Sequence, residues 1–163
     1  MAQKTRLEHA DKAMKYTWDK FLNVGAHNEA GIVVCIDSEN RILILRRSNI
    51  DDRGGQWTIP GGHIDADDRS IEAGAVRELR EETSLVCSEE DLVFLGEPKP
   101  QKYYFLATKW SGDVDVAIPN PESGEIEHDM YRWASLEEIK QLDNTEIPDY
   151  LLEKALGMPK NED

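Results

Sequence analysis

Three glutamates, Glu78, Glu81 and Glu82, crowd the stretch Arg77-Glu78-Leu79-Arg80-Glu81-Glu82. On a helix, at about 100° per residue, they share an arc of roughly 100°. Like charges one turn apart destabilise a helix by about 0.2–0.5 kcal/mol per pair. A solvated face tolerates that loss, and a divalent cation offsets it. Carboxylate oxygens suit Mg²⁺ or Mn²⁺ rather than zinc. Arg77, beside the cluster, has the planar fork that grips a carboxylate or a phosphate. On helix geometry alone, a solvated acidic face competes with a metal site. The upstream Gly61-Gly62 favours the metal site, because glycine permits close approach of a ligand to the backbone, and Trp57 and Pro60 stiffen the approach. A calcium loop counted from Asp65 fails, with Ser70 where the sixth position needs Gly and Val76 where the twelfth needs Glu.

These residues need a frame. Ser70–Thr83 is the clearest helix, with Ser70 as N-cap, Asp67 and Asp68 at its positive end, and Val76, Leu79 and Thr83 on the flank to be buried. Ala30–Asp37 and Arg41–Ser48 are apolar, β-branched runs joined by Ser38-Glu39-Asn40, which reads as a hairpin. Trp57–Ile59, Leu92–Leu95, Tyr103–Lys109 and Met130–Ala134 are further strands, and residues 111–126 form a long loop. Ser135 caps a helix through Leu142, and Asp149–Leu156 is a last helix after Pro148. Residues 4–22 read as an amphipathic helix on Leu7, Ala10, Met14, Trp18 and Phe21, which packs on the domain or joins two copies in a homodimer. The expected organisation is an N-terminal helical extension, 1–25, and a single domain, 26–163, of mixed sheet covered by helices.

The chain has 163 residues and a formal charge of −14. The excess is uneven: residues 1–64 carry net +1, residues 65–82 net −4 and residues 121–163 net −8. This balance argues against extended nucleic acid and against an anionic membrane surface. No apolar run approaches the roughly 18 residues of a membrane helix, and the first residues lack the apolar core of a signal peptide. Two cysteines, Cys35 and Cys87, are too few for a disulfide scaffold. The expected compartment is cytoplasmic.

Gly62 to Leu85, GHIDADDRSIEAGAVRELREETSL, resembles the signature box of the Nudix hydrolase family. The core Arg77–Glu82 matches without change, Leu85 matches the final aliphatic position, and ILILRRS, GGQWTIPGG and YRWASLEEI are similar to ordinary members. There are two departures. The segment between Gly62 and Arg77 is one residue longer than the family spacing, so counting forward from Gly62 puts the loop acid at Asp68 and counting back from Arg77 puts Arg69 there. Ser84 stands where the family has Gly at a left-handed helix end. The resemblance implies an α/β/α sandwich and hydrolysis of a nucleoside diphosphate linked to another moiety. It implies Glu78, Glu81 and Glu82, with the Gly61 carbonyl and Asp68, as ligands of Mg²⁺ or Mn²⁺. Arg77 would orient the glutamates, and a cluster carboxylate such as Glu81 or Glu82, or else Glu127, would act as general base.

Substrate contacts are sought among cations and aromatics near the glycine turn. Strand alternation separates Arg46 from Arg47, and Arg47 and Arg53 are the phosphate candidates. Tyr103, with Tyr104 and Trp110 as alternatives, is the candidate for stacking a base. His9, His27 and His128 show no ligand spacing, and His63 is read as an exposed loop histidine. Pro100 and Tyr103 resemble the marks of ADP-ribose hydrolases and dinucleoside polyphosphate hydrolases respectively, so the substrate is expected among nucleoside triphosphates, ADP-ribose or nucleotide sugars, and dinucleoside polyphosphates. A non-catalytic nucleotide sensor and an isoprenoid diphosphate isomerase are the competing readings.

Overall fold

Helix α1 (Ile71–Thr83) begins where its cap residue predicts. The Ser70 hydroxyl accepts a hydrogen bond from the Ala73 N–H at 3.0 Å. The helix ends on Ser84 at φ 68° and ψ 0°, whose N–H donates to the Arg80 carbonyl at 2.9 Å. Ile71, Gly74, Ala75, Leu79 and Thr83 form its buried side. The computed structural model describes residues 28–48, 54–143 and 145–159, so the expected helix over 4–22, with His9 and His27, lies outside the described residues, as does Arg53.

The described residues contain seven strands. They are β1 (Ala30–Val34), β2 (Ile42–Arg47), β3 (Trp57–Thr58), β4 (Gly61–His63), β5 (Leu92–Gly96), β6 (Lys102–Ala107) and β7 (His128–Ala134). They form a four-stranded sheet, order β4-β1-β6-β5, and a three-stranded sheet, order β3-β2-β7. The first is mixed, because β1 runs parallel to β6 and antiparallel to β4. The second is antiparallel throughout.

This arrangement corrects the expected hairpin. The β1 and β2 segments meet next to their shared turn, through the bridge Ile36–Ile42 and the bonds from Asp37 N–H to the Arg41 carbonyl at 2.9 Å and from Leu43 N–H to the Cys35 carbonyl at 3.0 Å. They then diverge into different sheets. A strand has two edges; those of β1 are taken by β4 and β6, and those of β2 by β3 and β7.

Alternation along the strands sorts side chains into two cores. Val33, Leu43, Leu45 and Phe105 pack with Ile71, Ala75 and Leu79 of α1. Val34, Ile42, Ile44 and Leu106 pack with Ile139 of α2 (Leu136–Lys140) and with Leu151, Leu152 and Ala155 of α3 (Asp149–Leu156). Helix, sheet and helix layers result, as the family resemblance implies. Contact between α1 and β1 is close: a Cβ on Gly31 would stand 2.8 Å from the Ala75 Cβ. Among the described residues no helix is long and apolar enough to cross a membrane.

Candidate active site at the glycine strand

The glycine turn of the sequence is in part a strand. Gly61 and Gly62 pair with Ile32 and Gly31 across β4 and β1, and their backbone lies against Glu78 and Glu82 in the C-terminal half of the acidic helix. The Gly61 N–H donates to Glu82 Oε1 at 2.8 Å. Gly62 leaves room for Glu78: a Cβ there would stand 2.4 Å from Glu78 Oε2. Any side chain at this position displaces the carboxylate.

Arg77 ties the cluster together. Its Nε and Nη2 donate to Asp68 Oδ1 and Oδ2 at 3.0 and 2.9 Å. Its Nη1 donates to Glu78 Oε1 at 3.1 Å and to Glu81 Oε2 at 3.0 Å, and Nη2 also reaches the His63 carbonyl at 3.1 Å. The bond to Asp68 and the carboxylates around it hold the guanidinium charged. Asp68 Oδ2 further accepts from the Asp65 N–H at 2.7 Å. The structure thus sets Asp68 against Arg77 and the loop, and Asp68 is absent from the residues lining the cleft.

Burial raises the affinity of two glutamates for a proton. Glu78 is pushed up to about 7, by burial first and by the neighbouring Glu81 and Glu127 charges, against the opposing pull of Arg77. Glu82 is pushed well up by burial, with Glu78 and Glu127 adding to the shift, and the Gly61 N–H and Arg47 lower it only in part. Glu78 and Glu82 are thus adjacent, partly buried carboxylates whose charged forms are favoured by nearby positive charge.

Loop 111–126 and the start of β7 close the other side. Asn120 Nδ2 donates to Glu127 Oε1 at 2.6 Å, while its own Oδ1 accepts from the Glu122 and Ser123 N–H groups. His128 is 3% exposed, and its Nδ1 lies 3.9 Å from Glu82 Oε2. Burial, assisted by the Arg47 charge, pushes its imidazole down to about 4, so the ring is neutral at pH 7. Ligand atoms of Glu82, Glu127 and His128 lie within 4.8 Å of one another, so this cluster could bind a metal ion. His128 carries no signal of this in the sequence, because the β2–β7 register, which pairs it with Arg47, brings it there.

Gly61, Glu78, Glu81, Glu82, Arg77, Glu127 and Arg47 all line one cleft of about 530 Å³. Arg46 turns away, as alternation predicts, onto Asp129 at 2.9 Å. The tyrosine expectation reverses. Tyr103 is buried in the α1-side core, and Tyr104, one residue along the pleat of β6, lines the cleft instead. Trp110 stacks on Trp133, centroids 5.4 Å apart, and is not a lining residue. The cleft also gathers Lys99, Lys102, Trp57 and the exposed His63, of which the two lysines were not singled out by spacing.

Residues 25–155 match the model of the NUDIX domain. The chain is 34% identical over 95 residues to the asymmetrical bis(5'-nucleosyl)-tetraphosphatase of Mus musculus, covering 53% of this chain and 60% of the relative. It is 34% identical over 94 residues to the phosphatase NudJ of Escherichia coli K12, covering 56% of this chain and 60% of that one. The chain therefore spans about 60% of the length of these curated relatives. In fold it is similar to the MutT protein of Methanosarcina mazei Go1, with TM-score 0.56, 24% identity, 77% of this chain and 90% of that chain covered. It is similar also to a C. elegans Ap4A hydrolase, with TM-score 0.54, 23% identity, 77% and 94% covered. With the Arg77–Glu82 cluster folded against a glycine strand and a domain match over most of its length, the chain belongs to the NUDIX domain family.

Proposed function

We propose that this protein is a metal-dependent pyrophosphohydrolase. Its substrate is a nucleoside diphosphate linked to another moiety, and the attack is by water on phosphorus. The observation that carries this reading is Arg77 holding Glu78 and Glu81 while Gly61 holds Glu82, all on one cleft. Glu78, Glu81 and Glu82, with the Gly61 carbonyl, are the residues for Mg²⁺ or Mn²⁺. When bound, such an ion polarises phosphorus–oxygen bonds and acidifies a water.

The remaining roles belong to the chain. Glu127, held by Asn120, is the first choice as general base, with Glu81 and Glu82 as the others. Arg47, Lys99 and Lys102 supply positive charge for phosphates in a protein of net −14. Tyr104 and Trp57 offer aromatic faces to a base. Asp68 acts here by fixing Arg77 rather than as a ligand.

A free dinucleoside polyphosphate heads the substrate candidates, because the curated mouse relative is named for that chemistry and the cleft carries cations beyond the glutamates. Nucleoside triphosphates, ADP-ribose and nucleotide sugars follow. The isomerase alternative loses support because Cys35 and Cys87 are buried core thiols and neither lines the cleft. The same free thiols support a reducing, cytoplasmic setting. The match over 25–155 supports a single domain over most of the chain.

The test is a panel of these four substrate classes with Mg²⁺ and with Mn²⁺, followed by phosphorus NMR in ¹⁸O-water. Label appearing on a product phosphate is expected. Tight nucleotide binding with no turnover on any substrate sinks the hydrolase and favours the sensor.

A further inference from the structure

His128 has no role in the hydrolytic scheme above, yet it is one of the few buried polar residues of the domain. Among the described residues its ring makes no hydrogen bond. Its nearest ionisable partner is Glu82, and 3.9 Å is too long for such a bond. A nearly buried imidazole with no protein hydrogen bond has its nitrogens available to another partner.

Its surroundings offer one. The ligand atoms of Glu82, Glu127 and His128 lie within 4.8 Å of one another. A divalent ion with bonds of about 2.1 Å spaces adjacent ligands about 3 Å apart and opposite ligands about 4.2 Å apart. The 4.8 Å spread of the three ligand atoms is close to that range. The Glu127 carboxylate is already held by Asn120 at 2.6 Å. The strand β7 holds the His128 backbone opposite Arg47, on an element separate from the helix that carries the three glutamates.

We propose that His128 supplies a nitrogen ligand to the divalent ion held by Glu82, beside Glu127, and that this donor shifts the site's preference from Mg²⁺ toward first-row transition ions. The inference rests on the metal-dependent reading above. Imidazole binds transition ions far better than it binds magnesium, which favours oxygen. An all-carboxylate site has no such bias beyond the ordinary affinity order.

Pulsed electron paramagnetic resonance of the full chain loaded with Mn²⁺ tests the ligand directly. A ¹⁴N coupling is expected in the wild type and in His63→Gln, and is expected to vanish in His128→Leu. Calorimetric titration with Co²⁺ and Mg²⁺ tests the preference. His128→Leu is expected to weaken Co²⁺ about tenfold or more while changing Mg²⁺ less than about twofold. Bound Mn²⁺ without a ¹⁴N coupling in the wild type, where folding of a variant is not at issue, overturns the proposal and leaves the metal site intact. Mn²⁺ affinity unchanged in Glu82→Gln overturns both the site and the proposal.

Discussion

Arg77 and Asp68 meet through two parallel hydrogen bonds, Nε to Oδ1 at 3.0 Å and Nη2 to Oδ2 at 2.9 Å. The pair stands behind the glutamates, since the remaining Nη1 of Arg77 reaches both Glu78 and Glu81. Asp68 is 9% exposed and Arg77 28%, so the pair is largely shielded from water. Removing the acid leaves a partly buried cation that lacks its fork partner. Asp68→Ala is expected to lower unfolding stability by about 2–3 kcal/mol and to reduce turnover, with the metal affinity within about twofold of wild type. Urea unfolding and a metal titration check this. A collapse of metal affinity would make Asp68 a ligand.

Glu81→Gln and Glu82→Gln separate charge from shape. Each keeps the side-chain volume and removes a carboxylate. Turnover is expected to fall by roughly 10²-fold or more, with the circular dichroism spectrum unchanged. Glu82→Gln also loses a buried group that resists ionisation, so its metal-free form should be no less stable than wild type. Steady-state kinetics at saturating Mg²⁺ decides the first point, and thermal melts in EDTA decide the second.

The two thiols predict a pH dependence. Burial pushes Cys87 up to about 12 and Cys35 higher still, with the nearby Asp91 adding to the first and Cys87 to the second. In the unfolded chain both ionise near 8.5. The folded protein therefore binds more protons above that pH, and stability falls as pH rises. Each thiol contributes a slope of about 1.4 kcal/mol per pH unit. Urea midpoints measured from pH 8 to 10 should fall accordingly. Cys35→Ser and Cys87→Ser should flatten the slope, and both native thiols should resist iodoacetamide at pH 8.

Ser84 stands at φ 68°, a conformation that disfavours side chains. It is exposed and closes the helix through its backbone N–H. Ser84→Gly should therefore stabilise the protein by about 1 kcal/mol without altering kinetics. A thermal midpoint at or below wild type contradicts this.

What local sequence determined was the chemistry-bearing helix. The Ser70 cap, the periodicity of Ile71–Thr83 and the clustering of Glu78, Glu81 and Glu82 are all set by residues within one or two helical turns of each other. The two helices after Ser135 and Pro148 were legible for the same reason. Tertiary structure decided everything that depends on which strand edges meet. It parted β1 from β2, because pairing edges are filled by strands remote in sequence. It set the pleat of β6 so that Tyr104 rather than Tyr103 faces the cleft. It turned Asp68 onto Arg77, and through the β2–β7 register it brought His128 beside Glu82. Helical spacing fixes neighbours along one chain segment, whereas strand register and pleat are fixed only when the partner strand arrives.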